Sequence, residues 1–245
     1  MQTLTDVERR MYGNLTFSED CLFINIWRQT PPTTKHRYSH SSLKPVMFWI
    51  HGGGLTSGSI FAKIYNGSAL AAQGVVVVSV NYRLGQFGFM YGASDEAPGN
   101  VGLYDQLLGL KWVRDNIHRF GGDRDRVTIF GQSAGSVSVM AHILSPLSKG
   151  LFQRAIMQSG SVMLFKDSNV ISKPDALKVA RLLAVKLNCS DDHQWIKCLR
   201  RVQAQELTKL NGWLPLPIFD SPLLPMRAQL AIEKNLYNSG NGLNG

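Results

Sequence analysis

Two short stretches of the 245-residue sequence carry residue types and spacings suited to acyl transfer. Gly131-Gln132-Ser133-Ala134-Gly135 is a G-x-S-x-G pattern, which on a strand-to-helix turn lifts a serine Oγ above the edge of a sheet. Its glycines are needed where strand and helix pass too close for side chains. The helix N-terminus then aims backbone N–H groups at developing negative charge. Alone, the pattern also fits an ordinary glycine-rich turn. The second stretch, Gly52-Gly53-Gly54, offers N–H groups free of bulky Cβ atoms, as an oxyanion hole requires, with a further donor from the residue after the serine. A phosphate loop fails on residue type, because Gly53-x-x-x-x-Gly58 is followed by Ser59 where lysine is needed. A dinucleotide fingerprint fails as well, since Ser57 stands at the third glycine position.

Both stretches follow apolar runs. Val46–Ile50 ends in His51 and the triple glycine, and Val127–Phe130 runs into the serine turn. Val75–Val80 is another such run, Arg154–Gln158 reads as a further buried strand, and Cys21–Trp27 alternates as a strand does. Runs apolar on both faces suit a parallel sheet covered by helices. Leu103, Leu107, Leu110, Val113 and Ile117 mark one face of a helix that Gly121-Gly122-Asp123 terminates, and Pro174–Leu187 has helical spacing too. Strands alternating with helices predict a doubly wound α/β sheet, with both glycine turns at the carboxyl ends of neighbouring strands, where ligands bind.

Composition bounds the alternatives. Hydrophobic residues are 44% and charged residues 18% of the chain, which excludes disorder as the main state. No apolar run approaches the ~20 residues of a membrane-spanning helix, and the N-terminal MQTLTDVERR has acidic residues where a signal peptide would have its apolar stretch. The net charge of +9 raises the question of a nucleic-acid partner. Its densest region, Lys178, Arg181, Lys186, Lys197, Arg200 and Arg201, reads instead as a solvated helix face. Neither nucleic acid nor any metal, nucleotide or flavin cofactor is expected.

The segments SEDCLFINIW, HGGG, VNYRLGQFGF, PGNVGLYDQLLGLKWVRDNIHRFGGD, VTIFGQSAG and SPLSKGLFQRAIMQSGS, in this order, resemble the type-B carboxylesterase/cholinesterase family over roughly Asn14 to Asn244. The resemblance implies an α/β-hydrolase fold, mostly parallel and doubly wound with helices on both faces. It also implies Ser133 as nucleophile, an oxyanion hole from Gly53, Gly54 and Ala134, a structural ion pair of Arg83 with Asp105, and a disulfide between Cys189 and Cys198. For the two cysteines the residues alone leave other readings open, free thiols or zinc ligation together with His193, though the spacing and the lack of a fourth ligand speak against zinc.

The family completes its triad with an acid and then a histidine, both after the serine. In this chain their positions would fall beyond Gly245. None of His36, His40, His51, His118, His142 and His193 sits in the family's catalytic context. His142 reads as a packed helix residue, and the backbone and packing of His51 count for more than its ring. Without a base the serine hydroxyl is a weak nucleophile. Cys21 and Glu19 match family positions whose partners would lie upstream of Met1. The expectation is therefore that residues 1–245 form a partial domain, truncated at both ends, inactive and poorly soluble by itself because its last strand leaves an apolar edge open.

For the whole protein the expectation is a serine hydrolase acting on small carboxylic esters. The alternative is a non-catalytic, adhesion-type relative, which the intact GQSAG and triple glycine argue against. Sequons at Asn14, Asn66 and Asn188, with the disulfide, imply a glycoprotein that is secreted, lumenal or at the cell surface, touching a membrane only through an anchor outside this chain. Gln132 stands where cholinesterase-like members often carry Glu, and Leu55 where an aromatic residue is common. Both lean towards neutral esters. Trp213 and Leu216 could line an acyl pocket or simply fill the core, and Asp220 is followed by Ser221 where relatives usually have Gly.

Overall fold

The computed structural model describes residues 18–29, 43–162, 170–190, 194–210 and 215–238. Asn14, His36, His40, His193 and Trp213 lie outside the described residues. Strands β1 (Ile24–Trp27), β2 (Lys44–Ile50) and β3 (Val76–Val80) are followed by a small hairpin, β4 (Tyr91–Ser94) with β5 (Ala97–Pro98). Strands β6 (Gly122–Gln132) and β7 (Arg154–Gln158) complete the set. The main sheet has the order β1-β3-β2-β6-β7, with β1 antiparallel to β3 and every other pairing parallel. Every residue of β3 is buried, which accounts for its unbroken Val-Val-Val-Ser-Val sequence.

The helices are α1 (Ser68–Ala71), α2 (Gly85–Phe89), α3 (Val101–Asn116), α4 (Ala134–Leu144), α5 (Lys173–Lys186), α6 (Trp195–Leu199), α7 (Ala204–Thr208) and α8 (Ala228–Glu233). Leu103, Leu107, Leu110 and Val113 form the buried stripe of α3, and Ile117 continues it into a 3-10 turn, Ile117–Phe120. Gly121, at φ 80°, then reverses the chain directly into β6. Most of α4 is buried, because it fills the space between the sheet and the segments that follow it. A second, smaller core gathers Ala180, Leu183, Trp195, Ile196 and Leu199 around the Cys189–Cys198 disulfide. That bond takes both sulfurs and so removes two of the ligands a zinc reading would need.

Two strand expectations are corrected. β6 begins at Gly122 rather than Val127, because Gly122 already pairs with Lys44, and a register irregularity before the Val46–Val127 pairing leaves residues 123–126 out of step with β2. β7 is a strand but not a buried one. All five residues are exposed, with Ile156 and Met157 at 44% and 45%, because among the described residues only β6 pairs with it. No described helix is long and apolar enough to cross a membrane.

Behind the serine turn runs a buried polar chain. Gln106 Nε2 donates to Ser138 Oγ at 3.2 Å, so its Oε1 faces His142 Nε2 at 3.1 Å and can only accept. His142 Nε2 therefore carries the proton, and Nδ1 accepts from the Ser148 hydroxyl at 2.8 Å. Ser138 Oγ in turn donates to the Ala134 carbonyl at 3.0 Å. Burial pushes the His142 pKa down to about 4 from 6.5. Between those values only the unfolded chain binds the proton. Stability is thus complete above pH 6.5 and falls as the pH drops towards 4, by roughly 3 kcal/mol from this residue. Urea midpoints measured from pH 7 to pH 4.5 should decline, and His142→Gln should make the decline shallower by this residue's share, leaving that of the equally buried His51; an unchanged slope would refute the assignment.

Candidate active site

The carboxyl ends of β2 and β6 lie side by side, with Ile50 in register with Gly131. From there β6 turns at Ser133, whose φ of 55° and ψ of −123° are a conformation that costs a non-glycine residue of order 1–3 kcal/mol. The turn is held from both sides. Ser133 N–H donates to the Gln158 carbonyl of β7 at 2.8 Å, and Ser133 C=O accepts from Val137 N–H of α4 at 3.0 Å. A Cβ at Gly131 would stand 2.6 Å from the Gly135 carbonyl carbon, and one at Gly135 would strike the Ile50 carbonyl oxygen. Both glycines of the motif are therefore steric requirements of the strand–helix crossing.

The triple glycine turn abuts this elbow. A Cβ at Gly52 would lie 3.2 Å from the Ser133 Cβ and 2.5 Å from the Gln132 carbonyl oxygen. Gly53 and Gly54 have φ of 118° and 63°, which glycine adopts at no steric cost. The Gly53 carbonyl accepts from the N–H groups of Thr56 and Ser57 at 3.1 and 3.0 Å and from both their hydroxyls at 3.1 Å. Because C=O and N–H lie on opposite sides of a trans peptide, that clamp also fixes the N–H of Gly54. The Val137 bond to the Ser133 carbonyl fixes the N–H of Ala134 in the same way. Among the described residues the N–H groups of Gly53, Gly54 and Ala134 have no partner. The structure thus sets the half-buried Ser133 hydroxyl and the unspent Ala134 N–H at the N-terminus of α4, with the turn that carries the unspent Gly53 and Gly54 N–H groups packed against it through Gly52.

Other residues singled out in the sequence lie apart from this point. Arg83 grips Asp105 through Nε and Nη2 at 2.8 and 2.7 Å and through its backbone N–H at 2.9 Å, tying the end of β3 to α3. Asp105 is buried while the Arg83 side chain stays 43% exposed, and the hydrogen bonds to Asp105 hold the guanidinium further towards its charged form. Leu55 is buried in the main core, and Gln132 is exposed beside Ser133. Leu216 is half-buried, and Asp220 is exposed at φ 58°. Asn66 and Asn188 are exposed. Cys21 is a half-buried free thiol, raised in pKa chiefly by burial.

No described imidazole serves Ser133. His51 bonds Gly52, both nitrogens of His142 are engaged behind α4, and His118 is exposed at the far end of α3. Sequence reasoning overlooked Gly160 and Tyr82. A Cβ on Gly160 would collide with the Ser133 carbonyl oxygen, and the Tyr82 hydroxyl donates to the His51 carbonyl at 2.7 Å. A glycine two residues past the strand that flanks the elbow was the available signal for the first; nothing local marked the second.

A mostly parallel sheet with a strained serine between strand and helix, facing a glycine turn at the neighbouring strand's end, is the α/β-hydrolase architecture. Residues 1–232 match the model of the carboxylesterase family, and the chain belongs to that family. It is similar to cholinesterase 1 of Branchiostoma lanceolatum, at 46% identity over 84% of this chain and 56% of that protein. It is 42% identical to the acetylcholinesterase of Gallus gallus over 87% of this chain and 27% of that protein. It is also 48% identical to carboxylesterase 5A of Mus musculus over 82% of this chain and 34% of that one. The chain thus spans about half, or less, of the length of these relatives.

Proposed function

We propose that the whole protein is a serine hydrolase that cleaves carboxylic esters through an acyl-enzyme on Ser133. Ser133 Oγ attacks the ester carbonyl carbon, and the oxyanion is held by the N–H groups of Gly53, Gly54 and Ala134. The carbonyl–oxygen bond to the alcohol then breaks, and water releases the acid from the acyl-enzyme. The observation that carries this reading is the conjunction of a strained Ser133 with three unspent N–H donors. On this reading the triad acid and histidine come from outside these 245 residues: no described imidazole is hydrogen-bonded to Ser133, and His36, His40 and His193 do not sit in the family's catalytic context. Residues 1–245 are accordingly a partial domain without turnover of their own.

Gln132 puts a neutral amide beside the nucleophile, and the position after the glycine turn is an aliphatic Leu55 sunk in the core rather than an aromatic at the site. Both favour a neutral ester over a cationic one, although relatives carry the names of cholinesterases and carboxylesterases alike. The Cys189–Cys198 bond, with exposed sequon residues Asn66 and Asn188, supports an oxidising compartment: secreted, lumenal or at the cell surface. An organophosphate fluoridate applied to the whole protein should add one phosphoryl group, located on the Ser133 peptide by mass spectrometry. Turnover of an ester with Ser133 unmodified by the reagent would overturn the proposal.

A further inference from the structure

Two of the three proposed oxyanion donors are fixed through the carbonyl at the other end of their peptide bond. The third, Gly53 N–H, shares its peptide with the Gly52 carbonyl, and what holds that carbonyl is the ring of His51. Nδ1 lies 2.9 Å from the Gly52 oxygen, which can only accept, so Nδ1 carries the proton. The ring is fully buried and stacks on Tyr82 at 4.4 Å between centroids, with 19° between planes. Tyr82 anchors the preceding peptide as well, its hydroxyl donating to the His51 carbonyl at 2.7 Å. Gly58 makes the room, because a Cβ there would collide with both His51 Nδ1 and the Gly52 oxygen.

We propose that His51 is a positioning residue for the oxyanion hole, aiming the Gly53 N–H by the hydrogen bond its Nδ1–H gives to the Gly52 carbonyl. The inference rests on the reading of Ser133 as nucleophile. It also revises the expectation that the ring of this residue counts for less than its backbone. Packing alone does not call for an imidazole here. A phenyl ring would stack on Tyr82 equally well, and the imidazole leaves its Nε2 buried with no partner among the described residues. What histidine adds over phenylalanine is the Nδ1–H. Burial pushes the ring's pKa down to about 4, so across the working range of an esterase it stays a neutral donor at Nδ1. Neutrality matters, because a cation beside the donors would change with pH what the peptide must supply constantly.

The test compares two substitutions in the whole protein, each preparation normalised by its organophosphate-reactive serine. His51→Phe keeps the ring and loses the donor, whereas His51→Asn places an amide N–H near the Nδ1 position and loses the ring. His51→Phe is expected to lower kcat by about 10²-fold with KM within about threefold. It should weaken a trifluoromethyl ketone, which binds as a tetrahedral adduct, by the same factor. His51→Asn is expected to recover most of kcat even where its thermal midpoint is lower. The proposal falls if His51→Phe turns over like the parent, or if activity in both variants merely follows stability. Should neither variant fold, 15N NMR of the parent decides: an Nδ1–H tautomer supports the proposal, and an Nε2–H tautomer overturns it. A parent protein that turns over ester with Ser133 unlabelled would refute the nucleophile assignment, a result separate from any behaviour of His51.

Discussion

Replacing Ser133 by alanine in the whole protein is expected to lower kcat for a simple carboxylic ester by about 10⁴- to 10⁶-fold. The oxygen lost is the one that bonds to the substrate carbon. The three N–H donors remain, so KM should change little and a residual rate above that of water should persist. Stability should hold as well, because alanine must adopt the same φ of 55° and ψ of −123° and no hydrogen bond of the backbone is altered. Ser133→Gly gives the contrasting result: equally inactive, yet more stable by about 1–2 kcal/mol, since glycine occupies that conformation without strain. Steady-state kinetics with urea melts of both variants checks this. A kcat within tenfold of the parent for Ser133→Ala would remove Ser133 from the reaction.

Gly135→Ala should be the most damaging single methyl group in the elbow. In a helix interior this change normally stabilises, by about 1 kcal/mol. Here the new Cβ strikes the Ile50 carbonyl oxygen and lies 2.9 Å from the His51 carbonyl carbon, both of them backbone atoms in β2 and the turn that follows it. Neither can retreat without parting α4 from the sheet. A loss of more than about 4 kcal/mol is expected, enough to unfold a marginal domain. Gly150→Ala is the control. Its φ of 77° is unfavourable for alanine but nothing lies within 4 Å of the added carbon, so it should cost only about 1 kcal/mol. Equal melting points for the two variants would show that the elbow yields where the distances say it does not.

Local signals served the reading of the sequence where a residue's task is set by its near neighbours. The leucine stripe of α3, the all-valine face of β3 and the two glycine turns were legible because helix period, double-sided burial and missing Cβ atoms leave marks within a few residues. The exposure of β7 was not legible, since its apolar composition is the same whether or not a further strand lies beside it. Nor was the register irregularity at 123–126, which depends on how β6 pairs with Lys44 of β2. The His51 ring and the Gln106–His142–Ser148 chain escaped for a related reason. Their hydrogen bonds and stacking join α3 to α4, and the end of β2 to Tyr82, contacts that no local pattern encodes.

The strand order carries a kinetic consequence. β2 lies between β3 and β6, so the glycine turn and the serine turn meet only when Ile50 finds Gly131 across the whole length of β3 and α3. Closing so long a loop has an entropic cost that local contacts do not offset, and parallel pairings of this kind form late. Helices α3 and α4 can gain structure during refolding well before the two turns face each other. Refolding is therefore expected to pass through compact, helix-containing forms in which β2 and β6 still have open edges, the kind of species from which aggregates grow.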